Sequence, residues 1–501
     1  MWEGFDEPFH YGYVETLRQT RQLPVLGRTM VPGEVYGSFH LAPVSYIVHR
    51  WIPEAITFDD WFLLPQADKE QRRGALERTR PETNSSSRPN YEAHHPPLAY
   101  VILASLDWPL SKAPITVRVL VLRLFAGVFS IVLVYLGATR LGRTLELPER
   151  FANAALFTIL CSEMLYATIA HVANDWLAVG LSALFLAALA EFVRQPDRRS
   201  ALNVSFWLAA GLLTKAYFLV FMLLALAAVA NLIWRRRTQV RTVLAGAILV
   251  IALAGPWYAR NMVLYGNVSG TQEQFDGIGI RQALAVAPRM DWRATIGFLA
   301  RSSIWAGNNS FTSFSRSTMN LILALLFAAV TAWGLRRRAI RPPELAMFAA
   351  IVLFSIAVAY ASCASFADRN GDVPGASPWY AQVLLVPVMA LAYLGMSRSG
   401  GFGRALAACT SAIWAWVLIA TWTVKLFPMY SGGGSAPMRL RDVWDWYMHK
   451  AAAHTRDLAL LSLAPVPLLY AGMLISVTLG ALLCAAVIRD LVSLRDFGKS
   501  A

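Results

Sequence analysis

Long apolar runs without charge set the strongest limit on what this chain can fold into. Leu177–Ala190 and Ala216–Trp234 contain no charged residue, and the run from Val119 to Thr139 is broken only by Arg123. Roughly 20 apolar residues cross the hydrocarbon core of a bilayer, and helices are the default there because they satisfy their own backbone polar groups. With 56% hydrophobic residues, the sequence predicts an all-α, polytopic transmembrane helix bundle with amphipathic external-loop helices.

The apolar runs predict about eleven spans and a division of the chain into four parts. The spans are placed at about 115–139, 151–172, 175–194, 200–214, 216–234, 240–258, 317–335, 344–364, 378–396, 404–426 and 460–488. Residues 1–114 form a non-cytoplasmic first loop with interfacial helices, 115–260 a transmembrane catalytic core, 261–316 an external loop, and 317–501 the C-terminal transmembrane helices.

The net charge of +14 is distributed in clusters rather than along one soluble face. Arginines gather near Arg140, Arg194, Arg236 and Arg337, after alternate predicted spans. Positive residues accumulate on the cytoplasmic side of membrane proteins, so this pattern predicts a multi-pass plasma (inner) membrane protein and argues against a nucleic-acid partner. Residues 1–114 are then outside. Because no apolar segment precedes Trp2, we expect an additional helix before it.

An acidic pair opens the first predicted external helix. Asp6 and Glu7 precede Pro8, and apolar residues follow with helical spacing at Phe9 and Tyr13. A structural interpretation is sufficient: Asp6 caps the helix and Glu7 interacts with its dipole. The functional interpretation makes one carboxylate a general base, which the helix N-terminus would keep ionised.

Three further groups of polar residues interrupt apolar sequence at the predicted outer face. His94 and His95 precede Pro96-Pro97; as a vicinal pair they lack the spacing of a strong metal site, so no metal ligand is assigned and a divalent cation stays open. Asn174-Asp175 lies where two spans meet, as a helix cap or a functional acid. Lys215 and Arg260 are cations at membrane depth, which either snorkel to the interface or bind a lipid phosphate.

In this order the motifs resemble those of the integral-membrane C-type glycosyltransferases, the superfamily of protein O-mannosyltransferases and bacterial aminoarabinose transferases. The similar segments are Phe5-Asp6-Glu7-Pro8-Phe9-His10-Tyr11, His94-His95-Pro96-Pro97-Leu98-Ala99-Tyr100, Asn174-Asp175, Gly211–Lys215 and Pro256-Trp257-Tyr258-Ala259-Arg260-Asn261. Family members begin with a helix just before the acidic motif, which agrees with the expected missing first helix. Several relatives carry Glu-Lys where this chain has His94-His95.

The resemblance implies transfer of a sugar from a polyprenyl-phosphate donor to an envelope lipid, glycan or protein, by inverting single displacement at the outer face. It implies Asp6 as catalytic base, with Glu7 as the other member of the catalytic pair. His10, His94, Asn174 and Asp175 become acceptor or supporting polar groups, and Lys215, Arg260 and His95 become contacts to the donor phosphate. The implied partners are membrane lipids and the lipid-linked donor; no cofactor is obligatory.

Two other functions share a multi-span architecture. A lipid-linked polysaccharide polymerase or ligase would use similar substrates and concentrate arginines in a late external loop, as Arg281, Arg289, Arg293, Arg301 and Arg316 do. A secondary transporter should show two halves of similar hydropathy, and this chain does not. The sequence leaves the sugar, the acceptor and the oligomeric state undetermined.

Overall fold

The computed structural model describes residues 1–81, 85–305, 314–335, 340–369, 371, 375–433 and 440–493. The first helices are α1 Glu7–Thr20, α2 Gly33–Ser38, α3 Tyr46–Trp51, α4 Phe58–Leu63, α5 Gln66–Arg78, α6 Leu98–Asp107, α7 Ile115–Thr144, α8 Glu149–Leu160, α9 Glu163–Ile169, α10 Asp175–Arg194, α11 Arg198–Leu212, α12 Phe218–Trp234 and α13 Val240–Tyr265. The later helices are α14 Gln272–Phe275, α15 Ile280–Ala285, α16 Trp292–Ser302, α17 Arg316–Leu335, α18 Pro342–Asp368, α19 Leu385–Ser397, α20 Gly400–Ala420, α21 Leu440–Asp445, α22 Ala451–Leu461 and α23 Val466–Val492.

The remaining regular structure is short. Strands β1 Met30–Pro32 and β2 Ser85–Pro89 pair antiparallel in the N-terminal region. Single 3-10 turns include Tyr91–His94 and Pro378–Leu384, and the α20 helix continues as a π-helix over Thr421–Leu426. Helices therefore dominate the described residues, and the predicted all-α transmembrane class is confirmed.

The predicted number of spans is not confirmed. Among the described residues, eight helices are long and apolar enough to cross a membrane, or nine if α8 and α9 together form one bent span. These two helices meet at an angle of 56° around Cys161-Ser162, within the segment predicted as one straight span. Two further predicted spans, 200–214 and 216–234, correspond to α11 and α12, which have only 15 and 17 residues. At about 1.5 Å rise per residue, neither covers the full hydrocarbon thickness when upright.

Helix α10 forms the centre of the bundle. All but two of its residues are buried, and it packs against α7, α11 and α18. At its C-terminal end the arginine clusters meet: Arg194 and Arg341 both form ion pairs with Glu146, and Arg237 donates a hydrogen bond to the Arg194 carbonyl. These arginines, which follow alternate predicted spans in the sequence, therefore lie at one end of the bundle. Arg337 lies outside the described residues.

The N-terminal region packs on the other end of the bundle and shares its core. Trp2, Phe9 and Val35 belong to the same buried cluster as the residues of α7 and α10. Arg118, at the start of α7, is fully buried and forms ion pairs with Glu15, Glu34 and Asp107. A buried guanidinium needs such partners because desolvating an uncompensated charge is costly. These contacts fix α1 and α2 against the first span.

Candidate active site

A cavity of about 1090 Å³ lies between the N-terminal region and the membrane helices. The polar end is lined by Asp6, Tyr91, Glu92, His94, His95 and Lys215. The rest of the lining is mixed. Val220 of α12, Met319 of α17, and Phe354 and Val358 of α18 give apolar surface from membrane helices, whereas Glu273, Arg301, Arg316 and Arg369 add further charges. The cavity is therefore amphipathic, because charged groups and apolar helix surface face the same space.

Asp6 occupies the N-cap position of α1 but does not cap it with its side chain. The Tyr91 hydroxyl donates a hydrogen bond to Asp6 Oδ1 at 2.5 Å, and the backbone of Asp6 is left-handed, with φ of 55°. Asp is one of the few residues besides glycine that tolerate this region. The side chain points at the cavity wall instead of the helix N–H groups, so the capping interpretation is wrong for the side chain.

Burial controls the protonation of Asp6. It raises the pKa of the carboxyl to about 7, the neighbouring charge of Glu92 acts in the same direction, and the Tyr91 hydrogen bond opposes both. The expectation that the helix N-terminus keeps Asp6 ionised well below neutrality is therefore not met. A carboxylate with a pKa near neutral is well matched to accepting a proton at physiological pH.

Glu7 lies next to Asp6 in sequence but points away from the cavity. The Arg123 Nε–H donates to Glu7 Oε1 at 2.8 Å, and the Val172 N–H donates to the same oxygen at 2.8 Å. Burial raises the pKa of Glu7, but the Arg123 guanidinium outweighs it and holds that pKa below its usual value. This geometry gives Glu7 an anchoring role between α1, α7 and the α9–α10 loop, and separates it from Asp6 chemically.

The two vicinal histidines both line the cavity and are held differently. His94 Nδ1 lies 2.7 Å from the Tyr91 carbonyl, whereas His95 Nε2 lies 2.5 Å from Glu92 Oε2. Burial lowers the pKa of each ring to about 3 and raises that of Glu92 to about 7. His10, on α1, is buried behind them with its Nδ1 2.7 Å from the Tyr100 hydroxyl.

Asp175 and Lys215 form a buried ion pair at the same end of the bundle. Lys215 Nζ donates to Asp175 Oδ1, and only 6% of the Lys215 side chain and 3% of the Asp175 side chain are exposed. The ammonium also faces the rings of Tyr217 and Tyr380, at 5.4 and 5.1 Å from their centroids. Lys215 lines the cavity directly, and Asp175 contacts it through Lys215. Asn174 is fully buried, and neither polar atom of its side chain has a hydrogen-bond partner among the residues that the structure describes.

Arg260 does not join the other predicted phosphate contacts. Its Nη2 donates to the Pro24 carbonyl at 2.6 Å, and its guanidinium lies over the Trp257 ring at 4.7 Å. It is absent from the described lining of the cavity. The contact to Pro24 joins α13 to the N-terminal region, which is a structural role.

Several cavity residues were missed at the level of sequence. Tyr91 and Glu92 lie in the segment that contains the histidines, but nothing in their spacing distinguishes them. Tyr380 and Arg369 come from the C-terminal half of the sequence, and Arg301 and Arg316 come from the arginine-rich external segment. A charge inside an apolar run was a usable signal for Arg123, which anchors Glu7. The other missed residues reach the cavity through contacts between segments that are far apart in the sequence, and the sequence contains no comparable signal for such contacts.

Comparison with known proteins gives one structural similarity. No family model and no curated protein sequence matches the chain. The chain is similar to the crystal structure of ArnT from Cupriavidus metallidurans bound to undecaprenyl phosphate, with 15% sequence identity and a TM-score of 0.42. The match covers 85% of this chain and 71% of that one.

Proposed function

We propose that this protein transfers a sugar from a polyprenyl-phosphate-linked donor to an envelope acceptor, by inverting single displacement at the non-cytoplasmic membrane face. The observation that carries the proposal is the amphipathic cavity. A polyprenyl-phosphate sugar has a long apolar chain, one anionic group and a polar sugar. The apolar walls from α12, α17 and α18 suit the chain, and the polar end with Asp6 and Lys215 suits the phosphate and the sugar.

Lys215 supplies the charge for the donor phosphate. An ammonium is a common phosphate ligand, and charge-assisted hydrogen bonds are the stronger ones. In the absence of donor, Asp175 neutralises Lys215, which keeps the buried cation compensated. His95 lies at the same polar end and remains a second proposed contact. Arg260 is left out of the proposed contacts because it binds Pro24 away from the cavity.

Asp6 is the proposed base. It accepts the proton of the acceptor hydroxyl while that oxygen bonds to the anomeric carbon from the face opposite the phosphate. The bond from the anomeric carbon to the phosphate oxygen breaks, and the electron pair leaves with the polyprenyl phosphate. Configuration at the anomeric carbon is inverted in this one step. Phosphate is a good leaving group, so the cation stabilises it without a separate acid.

Replacing Asp6 by asparagine tests the proposal. Asn keeps the size of the side chain and can still accept the Tyr91 hydrogen bond, but it cannot take up a proton. We expect a loss of about 10²–10⁴-fold in transfer rate. The matched control is Asp59→Asn, which removes an exposed carboxylate from the same N-terminal region.

The readout is mass spectrometry of lipid-linked sugars and envelope glycans from cells that carry the wild type, either variant or no copy of the protein. We expect the lipid-linked donor to accumulate and one modified glycan to disappear in Asp6→Asn cells and in cells without the protein. Wild-type and Asp59→Asn cells should show neither change. A full glycan pattern in Asp6→Asn cells would reject Asp6 as the base. An unchanged pattern in cells without the protein would reject the function.

The second candidate function is a lipid-linked polysaccharide polymerase or ligase. Arg301 and Arg316, from the arginine-rich segment, line the same cavity and favour a second anionic substrate there. The two functions differ in product, since a ligase joins a preassembled glycan and a transferase adds one sugar. The mass of the missing unit in the same experiment separates them.

A further inference from the structure

Three metal-ligating side chains converge at the polar end of the cavity. His10, Glu92 and His95 each offer one ligand atom, and these three atoms all lie within 4.8 Å of one another. The carboxylate oxygen lies between the rings, 2.5 Å from His95 Nε2 and 3.7 Å from His10 Nδ1. All three side chains are at least four-fifths buried, so their positions are set by packing.

The Asn90 side chain and the two prolines after His95 hold these three residues in place. Asn90 Nδ2 donates to the Phe9 carbonyl at 2.9 Å, and its Oδ1 accepts from the Glu92 N–H at 3.0 Å. One side chain thereby joins α1, which carries His10, to the 3-10 turn that carries Glu92. Pro96 and Pro97 follow His95 directly and restrict its backbone. The cluster is therefore built from rigid elements, as a ligand site requires.

Two polar atoms of the cluster lack an ordinary partner. Glu92 Oε2 and His95 Nδ1 are buried, and neither has a hydrogen bond of acceptable geometry among the described residues. Buried carboxylate oxygens are rarely left without a hydrogen bond, and each exception calls for an explanation such as an ion. A cation bound by Glu92 Oε2 would supply the partner that this buried carboxylate oxygen lacks.

We propose that His10, Glu92 and His95 bind one divalent transition-metal ion of the Zn²⁺ class. Two imidazole nitrogens and one carboxylate oxygen are a donor set that suits zinc, whereas Mg²⁺ and Ca²⁺ prefer oxygen ligands alone. Three protein ligands leave a coordination position open for water or an anionic oxygen. Glu92 and His95 line the cavity, so that position faces the space that also contains Lys215. Metal binding here does not depend on which reaction the cavity performs.

Binding requires one existing contact to yield. His10 Nδ1 is 2.7 Å from the Tyr100 hydroxyl, which the ion would replace as partner of that nitrogen. His95 must also shift outward slightly, because two atoms at about 2.0–2.2 Å from one tetrahedral ion lie more than 2.5 Å apart. Tyr100→Phe removes the competing hydroxyl while keeping the ring that stacks on Tyr13. This variant is expected to bind the ion at least as tightly as the wild type.

The test is metal content and affinity of the purified full chain in detergent. After chelation and dialysis, Zn²⁺ or Co²⁺ is added, and bound metal is counted by elemental mass spectrometry. We expect one ion per chain, with d–d absorption of the Co²⁺ form typical of low coordination number. Loss of an outer partner alone weakens metal sites by roughly 10–100-fold, so His10→Gln, Glu92→Gln and His95→Gln are each expected to weaken binding at least that much.

Metal binding by the His94→Gln and His95→Gln variants is the most direct comparison, because the two histidines are adjacent in sequence. His94→Gln should keep the ion, because His94 Nδ1 is bound to the Tyr91 carbonyl and is not a member of the cluster. His49→Gln, which removes a histidine elsewhere in the N-terminal region, is the second control. Size-exclusion profiles and thermal unfolding show whether each variant is folded, and bound metal should raise the unfolding temperature only where the three ligands remain.

Absence of bound metal in the folded wild type would overturn the proposal, and so would equal retention by all three ligand variants. The metal measurement needs no sugar donor. Its failure is therefore distinguishable from failure of the proposed transfer reaction, which the Asp6→Asn comparison tests.

Discussion

Removing the ammonium of Lys215 should destabilise the protein more than removing the whole ion pair. Lys215 and Asp175 are each more than nine-tenths buried, and Lys215→Met leaves the carboxylate of Asp175 uncompensated. Loss of one partner of a buried pair costs about 3–5 kcal/mol. In Lys215→Met with Asp175→Asn no charge remains, and the cost falls to that of an imperfectly bonded amide, about 1–3 kcal/mol.

The assay is an SDS-unfolding titration of the purified single and double variants in one detergent, combined as a double-mutant cycle. We expect the double variant to be about 2 kcal/mol more stable than Lys215→Met alone, so that the effects of the two substitutions are clearly non-additive. Binding of a polyprenyl-phosphate probe should be lost in Lys215→Met and should stay lost in the double variant, although stability recovers. Additive effects on stability would refute the reasoning, because they would mean that solvent already screens the pair.

Four other outcomes are expected. In the presence of a chelator, kcat/KM for transfer should rise with pH up to about 7, because the base must be ionised and burial and the charge of Glu92 raise the pKa of Asp6 to about 7. Tyr91, Lys215 and Arg369 also influence the pKa of Asp6. A flat profile from pH 5 to 8 would contradict this prediction. Because the pKa of Asp6 is higher in the folded chain than in the unfolded chain, folded Asp6 keeps a proton that the unfolded chain loses as the pH rises from about 4 to 7. The contribution of Asp6 to stability should therefore fall as the pH rises through this range, which thermal unfolding of the wild type and of Asp6→Asn measures. Gly4→Ala should lower the unfolding temperature, since the added Cβ would lie 2.6 Å from His171 Cβ, whereas Gly37→Ala should not, since no atom of the described residues lies within 4 Å of its added Cβ. In a cysteine-free background, cysteines at Asp276 and Arg236 should be labelled from opposite sides of the membrane, and labelling of both from one side would reject the predicted topology.

The sequence predicted the helical class well because hydropathy is a local property. A run such as Leu177–Ala190 reveals a buried span without knowledge of its neighbours. The same measure failed at α8 and α9, where an apolar run contains a 56° bend at Cys161-Ser162. Hydropathy averages over a window and does not detect where backbone direction changes. It also counted α11 and α12 as spans, although these helices have only 15 and 17 residues.

The candidate site was partly predictable for a different reason. Asp6, His94, His95 and Lys215 could be assigned to one face from the alternation of spans, and they do line one cavity. The partners that set their chemistry could not be assigned. Tyr91 on Asp6 and Arg123 on Glu7 are contacts across about 80 to 120 residues of sequence, and only the folded chain brings them together. The direction of the Arg260 side chain, toward Pro24, is likewise a matter of packing that charge and spacing do not specify.

The anchoring of the acidic motif has a consequence for biogenesis. Glu7 receives its hydrogen bond from Val172, Phe5 stacks on Trp379 with ring centroids 4.0 Å apart, and Glu3 accepts from the Tyr430 hydroxyl. A ribosome delivers the N-terminal end first, at about 5–20 residues per second. Residues 3–7 must therefore wait, tens of seconds at the slower rate, while several later helices are inserted. The motif emerges before the segments that it contacts, so a chain arrested before residue 379 would contain Asp6 but could not complete its surroundings.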